Sequence, residues 1–147
     1  MNRLTIALAA LAVAGCGLND SSGGDAAERS AGSFSFGAGP RSITVELPDY
    51  CYVESMSNER QGADDETYGL GFALAMPVDW NGRFLFQGGG GLNGTLHPPL
   101  GGNAAGDTPA LARGFAVIST DGGHQGEHGF DASFMADQQA ALDFAGQ

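Results

Sequence analysis

Residues 77–94 have the sequence PVDWNGRFLFQGGGGLNG. The segment Trp80-Asn81-Gly82 predicts a turn, because Asn and Gly tolerate positive φ at little steric cost. Residues 83–86 are compact, apolar and aromatic, and the breakers on either side favour a buried strand over a helix. The glycines that follow expose their backbone N–H groups, which suits a loop that approaches a ligand or stabilises an oxyanion. They are Gly88, Gly89, Gly90 and Gly91.

Two segments on the N-terminal side alternate apolar and polar residues and predict half-buried strands. They are residues 42–47, which residues 51–53 can extend beyond Pro48, and residues 67–76. Residues 58–66 are polar and acidic, so we expect a turn or an exposed loop there. The two strands around it are predicted to form an antiparallel pair.

The segment after the glycines predicts a short helix and then a central strand. In residues 108–114, Thr108 can cap the helix, Pro109 suits its first position and Gly114 suits the left-handed C-terminal position. Residues 115–120 form a continuous apolar run, which is typical of a strand buried on both faces.

Residues 121–131 are predicted to be a loop, and residues 133–145 a second helix. The expected apolar face of that helix holds Phe134, Ala141, Leu142 and Ala145. The alternation of strand and helix predicts an α/β fold. In such sheets the chemistry lies at the C-terminal ends of the strands, where both glycine-rich loops of this chain are expected.

The N-terminus predicts export. Residues 1–15 combine a positive n-region with an apolar h-region that is too short to span a bilayer. Val13-Ala14-Gly15-Cys16 resembles the bacterial lipobox, which predicts a lipid anchor on Cys16 and a place in the envelope, in the outer membrane or facing the periplasm. The alternative is an ordinary signal peptide and an unmodified thiol. Residues 16–40 predict a flexible tether, and residues 41–147 the folded part.

Charge and cysteine content narrow the classes of partner. The net charge is −11, and the 6 basic residues are all arginine. We expect no nucleic-acid binding, because no basic face is available to displace counterions. Membrane contact is expected only through a lipid on Cys16. Lipidation of that residue leaves Cys51 without a partner in the chain, which indicates a free thiol or a missing partner.

The glycine-rich loop has three interpretations. Residues 89–94 match the dinucleotide-binding pattern GxGxxG, and Asp121 closes a later strand as a ribose-binding acid would. The loop then runs into His97-Pro98-Pro99 rather than into a helix, so the context that nucleotide binding requires is missing. The other interpretations are an oxyanion hole, which uses an N–H from the loop after an early strand, and a flexible surface turn.

Residues 121–128 collect two histidines and two acids. These side chains are common metal ligands, but interleaved glycines predict a loop in which His124 and His128 need not share a face. We therefore expect no metal site, and favour a role for Asp121 and His124 at the rim of an active site. Ser119, Asp121 and His124 are too close in sequence for a catalytic triad. The chain contains no GxSxG nucleophile motif.

Three motifs together resemble the tannase and feruloyl esterase family. They are residues 77–94, the run ALARGFAVISTDGGHQG at residues 110–126, and FDASF at residues 130–134. Their order and spacing match the family's P-x-x-W-N-G-R-F-L, its glycine-rich loop and its A-R-G-[YF]-A-V-x-S-T-D-x-G-H. The resemblance covers residues 50–144.

This resemblance implies the α/β-hydrolase fold, with a large inserted lid domain and a Ser-His-Asp triad. Members hydrolyse esters of aromatic acids, including gallate and ferulate esters and, in one branch, a terephthalate monoester. By position, a backbone N–H of the glycine loop, with Gly89 or Gly90 favoured, would be the first oxyanion donor. The family's nucleophile motif G-C-S-x-G-G, its disulfide beside the nucleophile, its Asp and His, and the lid with its calcium site all lie beyond the residues matched here.

The expected function is therefore an exported serine-type carboxylic-ester hydrolase acting on aromatic-acid esters. This chain is expected to be the truncated N-terminal part of its core sheet, without the triad, without a cofactor and inactive alone. The alternative is a small lipid-anchored binding lipoprotein without catalysis, or a decayed remnant. The hypothesis of a nucleotide-dependent enzyme rests only on the GxGxxG pattern.

Overall fold

The computed structural model describes residues 25–29, 32–36, 43–62, 65–102, 107–126 and 129–146. The predicted signal peptide, Cys16 and His128 lie outside these residues. No helix in the described ranges is both long enough and apolar enough to cross a membrane.

The described chain forms seven strands, two short 3-10 helices and one α-helix. The strands are β1 Asp25–Arg29, β2 Gly32–Phe36, β3 Ile43–Leu47, β4 Tyr50–Gln61, β5 Thr67–Pro77, β6 Phe84–Gln87 and β7 Ala116–Thr120. The 3-10 helices are Leu111–Arg113 and Ser133–Ala136, and α1 is Gln138–Ala145. Five strands form a mixed sheet in the order β1-β4-β5-β7-β6, and β2 pairs with β3 in a separate sheet. A mixed sheet with a helix is consistent with part of an α/β fold.

The N-terminal strands differ from the sequence prediction. Both β1 and β2 lie in residues 16–40, which were predicted to be a flexible tether. The alternation Ser33-Phe34-Ser35-Phe36 has the period of two that a strand requires, and the Gly- and Ser-rich composition around it obscured this signal. β3 is a strand as predicted, but its partner is β2 and not β5.

β5 pairs on one side with β4, which is longer than its sequence indicated. β4 continues through residues 58–61, where a loop was predicted, with a register shift between Ser57 and Arg60 and Asn58 at φ 55°. An antiparallel strand with one solvated face carries many polar residues, and for this reason the polar composition of the segment was misleading.

Cys51 lies on β4 and takes part in a disulfide bond. None of the described cysteines is free. Of the two alternatives predicted for Cys51, the free thiol is therefore wrong.

β7 is an interior strand of the sheet, between β5 and β6, and is buried as its continuous apolar sequence predicted. It pairs antiparallel with β5 and parallel with β6, and four of its five residues are buried. Val117 packs in one apolar cluster with Ala75 of β5 and with Leu111 of the first 3-10 helix. β6 instead lies at the edge of the sheet, where Phe84 is 58 % exposed and Phe86 48 %. The prediction that β6 is buried is wrong.

The Trp80-Asn81-Gly82 turn fixes the start of β6. Gly82 has φ 80°, as a turn of this composition allows. The Asn81 side chain accepts a hydrogen bond from the Arg83 N–H at 2.9 Å and donates one to the Arg113 carbonyl at 2.8 Å. The Trp80 indole donates to the Arg83 carbonyl at 2.7 Å. The turn therefore joins β6 to the end of the first 3-10 helix.

The segment 108–114 forms only a three-residue 3-10 helix. Its N-cap is Ala110, which makes no side-chain capping bond, so the predicted cap by Thr108 is wrong. Gly114 ends the helix at φ 83° and donates its N–H to the Leu111 carbonyl, as predicted for a left-handed C-terminal glycine.

The predicted helix 133–145 is interrupted at Asp137. This residue has extended backbone angles and accepts a hydrogen bond from the Ala140 N–H at 2.8 Å, so it caps α1. The interruption changes which side chains are buried. Phe134 and Ala140 are buried, whereas Leu142 is 58 % exposed. The predicted apolar face is therefore wrong beyond Phe134.

Asp137 also joins α1 to β4. Arg60 donates to its carboxylate through both terminal nitrogens, at 3.2 and 2.5 Å. The hydrogen bond to Asp137 raises the pKa of the Arg60 guanidinium. Because this pKa is higher in the folded state, the protonated guanidinium stabilises the fold at every pH below the ordinary arginine pKa. That contribution is lost only when the pH rises through the folded-state pKa. This group therefore adds no pH dependence near neutrality.

We predict that Asp137→Asn is less destabilising than Asp137→Ala, because Asn keeps the cap on α1 and loses only the charge. The difference between the two variants should be about 1 kcal/mol in free energy of unfolding, the usual value of an N-cap. Urea denaturation measures it, with the exposed Asp79→Ala as a control that stays at wild type. Equal stability of the two variants would show that the cap contributes nothing.

Candidate functional site

The two glycine-rich loops follow the C-terminal ends of two neighbouring strands and so lie on the same side of the sheet, as predicted. β6 and β7 are parallel, so the segments that follow them both begin at the C-terminal ends of neighbouring strands. They are joined there: the Gly94 N–H donates to the Asp121 carbonyl at 2.7 Å, and the Gly126 N–H donates to the Gly94 carbonyl at 2.9 Å. This edge is where α/β sheets bind ligands.

The four glycines of the first loop fall into two kinds. A Cβ atom on Gly89 would lie 2.0 Å from Asn93 Oδ1, and one on Gly91 would lie 2.4 Å from the Gly129 carbonyl oxygen. Gly91 also has φ 63°. A Cβ atom on Gly88 or Gly90, by contrast, would have nothing within 4 Å. Gly89 and Gly91 are thus packed closely against other residues, whereas Gly88 and Gly90 are open. This close packing favours a loop of defined conformation over a flexible surface turn.

Gly89 and Gly90 are the residues that sequence favoured as oxyanion donors. Both are exposed, and neither N–H donates a hydrogen bond to another residue of the described chain. Both N–H groups are therefore available to a ligand oxygen.

Asp121 does not lie at an exposed rim, because its side chain is only 3 % exposed. Its carboxylate accepts hydrogen bonds from the Gly71 N–H at 3.1 and 3.2 Å and from the Gly123 N–H at 2.9 Å. It also accepts one from the Gln125 side chain at 2.6 Å. Asp121 thus holds the second loop against β5 from beneath.

His124 is buried as well, at 2 % exposure. Its ring stacks on Phe134 with centroids 3.7 Å apart and meets Phe144 edge-on at 5.8 Å. Neither ring nitrogen has a hydrogen-bond partner among the described residues. In this structure the side chain lies in the apolar cluster beneath the loop and not at a rim.

Asn93 is the residue of this site that the sequence analysis missed. It is buried, has φ 49°, and donates a side-chain hydrogen bond to the Thr120 carbonyl at 2.7 Å. An Asn between Leu92 and Gly94 at the end of a glycine loop is a signal for a left-handed residue. No pattern in the sequence indicates that it reaches β7.

The remaining candidates do not assemble into catalytic or metal-binding groups. Ser119 is 1 % exposed and donates its hydroxyl to the His97 carbonyl at 2.5 Å. No helix opens from residues 94–102, so the dinucleotide pattern lacks the element that would face a pyrophosphate. Over the described ranges no three His, Cys, Asp or Glu side chains are grouped to hold a metal ion.

Comparison with known proteins matches residues 54–147 to the family described as tannase and feruloyl esterase. The chain is 42 % identical over 104 residues to the mono(2-hydroxyethyl) terephthalate hydrolase of Piscinibacter sakaiensis. It is 31 % identical over 100 residues to an uncharacterized esterase of Agrobacterium fabrum. These alignments cover 66 % and 65 % of this chain but 17 % of each relative. The chain thus spans about one sixth of the length of these curated relatives.

The family match covers more than half of the chain, and both relatives carry names of ester-cleaving enzymes. The strands β4 to β7 and the glycine loop thus lie in the region that matches a class of ester-cleaving proteins. Within that class, the chain belongs to the tannase and feruloyl esterase family, and the resemblance drawn from its motifs is confirmed.

Proposed function

We propose that this chain supplies the oxyanion loop of an exported serine-type hydrolase of aromatic-acid esters with the α/β-hydrolase fold. The observation that carries the proposal is the glycine loop. It follows β6 at the C-terminal edge of the sheet, and it presents the N–H groups of Gly89 and Gly90 without partners among the described residues. Because the chain belongs to the tannase and feruloyl esterase family, we assign to those N–H groups the stabilisation of the oxyanion formed in ester hydrolysis.

In ester hydrolysis a tetrahedral intermediate carries negative charge on the former carbonyl oxygen. A backbone N–H of Gly89 or Gly90 would donate to that oxygen, and one such donor contributes about 10²- to 10³-fold in kcat. Asp121 keeps the neighbouring loop in place through the Gly71 and Gly123 N–H groups. We expect the nucleophile and its general base to come from other residues, because the Ser119 hydroxyl donates to the His97 carbonyl and neither ring nitrogen of His124 has a partner among the described residues.

Two observations support an aromatic acyl group. The relative from Piscinibacter sakaiensis is named for a terephthalate ester. In this chain Phe130 is 81 % exposed, and one of its ring carbons lies 3.5 Å from the Cβ position of Gly91. An exposed ring beside the oxyanion loop offers a surface on which an aromatic acid can stack.

Sequencing the DNA beyond codon 147 in all three frames tests whether the gene encodes a complete hydrolase. We expect a G-C-S-x-G-G motif and later Asp and His codons. Its full-length product should then hydrolyse methyl ferulate or methyl gallate, and Phe130→Ala should raise KM for these esters more than for methyl butyrate. Unrelated sequence in every frame would instead favour the binding lipoprotein or the remnant.

We propose further that the 147-residue chain does not hydrolyse esters by itself. One oxyanion donor without a nucleophile forms no acyl-enzyme. Purified residues 16–147 should therefore release no acid from methyl gallate above a mock-purified control. Hydrolysis above that control, removed by Gly89→Pro, would place a nucleophile within this chain and overturn the proposal.

For location, we propose export with a lipid anchor on Cys16, supported by the sequence of residues 1–16. The chain has 2 cysteines, and a sulfur in a thioether to lipid cannot also form a disulfide. The anchor therefore requires that Cys51, which is disulfide-bonded in the structure, is not bonded to Cys16 in the mature protein. Mass spectrometry of the mature N-terminal peptide should find a diacylglyceryl cysteine whose mass does not change on reduction. A peptide that links Cys16 to Cys51 and separates on reduction would overturn the anchor.

A further inference from the structure

Asn93 anchors the glycine loop to the end of β7. Its side-chain NH2 group donates to the Thr120 carbonyl at 2.7 Å, and its backbone N–H donates to the Gly90 carbonyl at 3.1 Å. Because a carbonyl oxygen can only accept, the contact with Thr120 fixes which side-chain atom is nitrogen and which is Oδ1. One residue therefore ties the loop to β7, which is held in the sheet on both sides.

The same side-chain amide occupies the space beside Gly89. A Cβ atom on Gly89 would lie 2.0 Å from Asn93 Oδ1 and 2.2 Å from its Cγ. Asn93 is 8 % exposed, and Oδ1 has no hydrogen-bond partner among the described residues. A buried acceptor without a partner is unfavourable. The side chain is held there by the bond of its NH2 group to Thr120.

The backbone of Asn93 restricts the residues that fit here. Its φ of 49° is left-handed, a conformation that Asn, Asp and Gly adopt more readily than other residues. Of these three, Gly has no side chain to reach Thr120, and the carboxylate of Asp would face a carbonyl oxygen. Only Asn satisfies the backbone, the donor and the contact together.

We infer that Asn93 is a positioning residue for ester hydrolysis: it holds Gly89 and Gly90 where their N–H groups can stabilise the oxyanion. This inference rests on the function proposed above. Asn93 acts through the glycines and does not touch the ester. Its loss should slow the chemical step and leave binding of the ester nearly unchanged, because an oxyanion donor contributes mainly in the transition state.

Asn93→Asp tests the anchor with the smallest change of shape. The substitution keeps the size and the left-handed tolerance but replaces the donor to Thr120 with an acceptor. In the full-length product of the gene that encodes this chain, kcat for methyl ferulate should fall about 10- to 100-fold, and KM should change less than about threefold. Asn58→Asp is the matched control, because Asn58 is exposed and has φ 55°. It should keep the wild-type kcat.

A double variant tests the contact with Gly89 independently of activity. Gly89→Ala alone collides with the amide and should lower Tm. In the Gly89→Ala, Asn93→Gly pair the methyl group enters the space that the amide leaves, so Tm should equal that of Asn93→Gly alone rather than fall by the sum of both shifts. Gly102→Ala, which has nothing within 4 Å of the new Cβ, should keep the wild-type Tm.

The outcomes separate the inference from the proposed function. If wild type hydrolyses methyl ferulate and Asn93→Asp keeps kcat within about twofold, the positioning role is wrong and the proposed function stands. If wild type hydrolyses neither methyl ferulate nor methyl gallate, the proposed function is wrong. The thermal cycle then decides whether Asn93 holds Gly89: a non-additive result supports that contact, and additive shifts overturn it.

Discussion

Asp121→Ala should lower the free energy of unfolding by about 2–6 kcal/mol, because two backbone N–H groups lose their acceptor. The carboxylate accepts hydrogen bonds from the buried N–H of Gly71 and the N–H of Gly123. Without it both N–H groups lose their acceptor, and each such loss costs about 1–3 kcal/mol. The alanine side chain is too short to restore either bond.

Asp121→Asn separates the charge from the hydrogen bonds. Oδ1 accepts from both Gly71 and Gly123, whereas the short contact of Oδ2 is with the Gln125 amide. An Asn whose oxygen takes the Oδ1 position keeps both backbone bonds, and the Gln125 amide can rotate to accept from the new NH2 group. We therefore expect a loss of only about 1 kcal/mol, the value of one exchanged hydrogen bond.

Urea denaturation of the gene product compares these variants through their midpoints at constant m-value. Asp107→Ala is the matched control, since Asp107 is exposed, and it should stay within about 0.5 kcal/mol of wild type. If Asp121→Ala also stays within about 1 kcal/mol of wild type, the carboxylate does not organise the second loop.

The sequence predicted those parts of the fold in which local pattern and tertiary environment agree. The apolar run of β7 is buried on both faces, and Gly114 ends its helix in the left-handed conformation. The local sequence pattern gave the wrong boundaries where contacts between distant residues determine them. β4 is half solvated and reads as a polar loop, yet its length is set by the ladder with β5. α1 begins only at Asp137, because that side chain caps the helix and binds Arg60, 77 residues away in sequence.

The site shows the same division. Composition was enough to find the glycine loop, because four consecutive glycines after a predicted strand are visible in the sequence itself. Composition also singled out Asp121 and His124, but it placed them at a rim. Whether a side chain after a strand points to solvent or beneath the loop depends on what packs there. Here Gly71 leaves room for the carboxylate, since a Cβ on it would lie 2.3 Å from Asp121 Oδ2, and Phe134 covers the imidazole.

Phe134→Ala should lower the free energy of unfolding by about 3–5 kcal/mol, as for other large aromatic side chains removed from a core. Phe134 is 2 % exposed, stacks on His124 at 3.7 Å and contacts Phe144 with centroids 5.1 Å apart. Truncation removes both ring contacts and leaves a cavity beneath the second loop. The adjacent Met135→Ala is the control, because Met135 is 53 % exposed, and it should change stability by less than about 0.5 kcal/mol.

In the Phe134→Ala variant, hydration of His124 should offset part of the loss in free energy of unfolding. Its two ring nitrogens have no partners among the described residues, and a water admitted by the cavity can bond to them, because a polar wall is what allows a cavity to hold water. Phe134→Leu fills more of the space and admits less water, but it loses the stacking, which contributes about 0.5–1.5 kcal/mol. If Phe134→Ala proves no less stable than Phe134→Leu, hydration of the imidazole outweighs packing. A larger loss for Ala, measured by urea denaturation, shows that the aromatic cluster and not the imidazole's polarity holds this part of the loop.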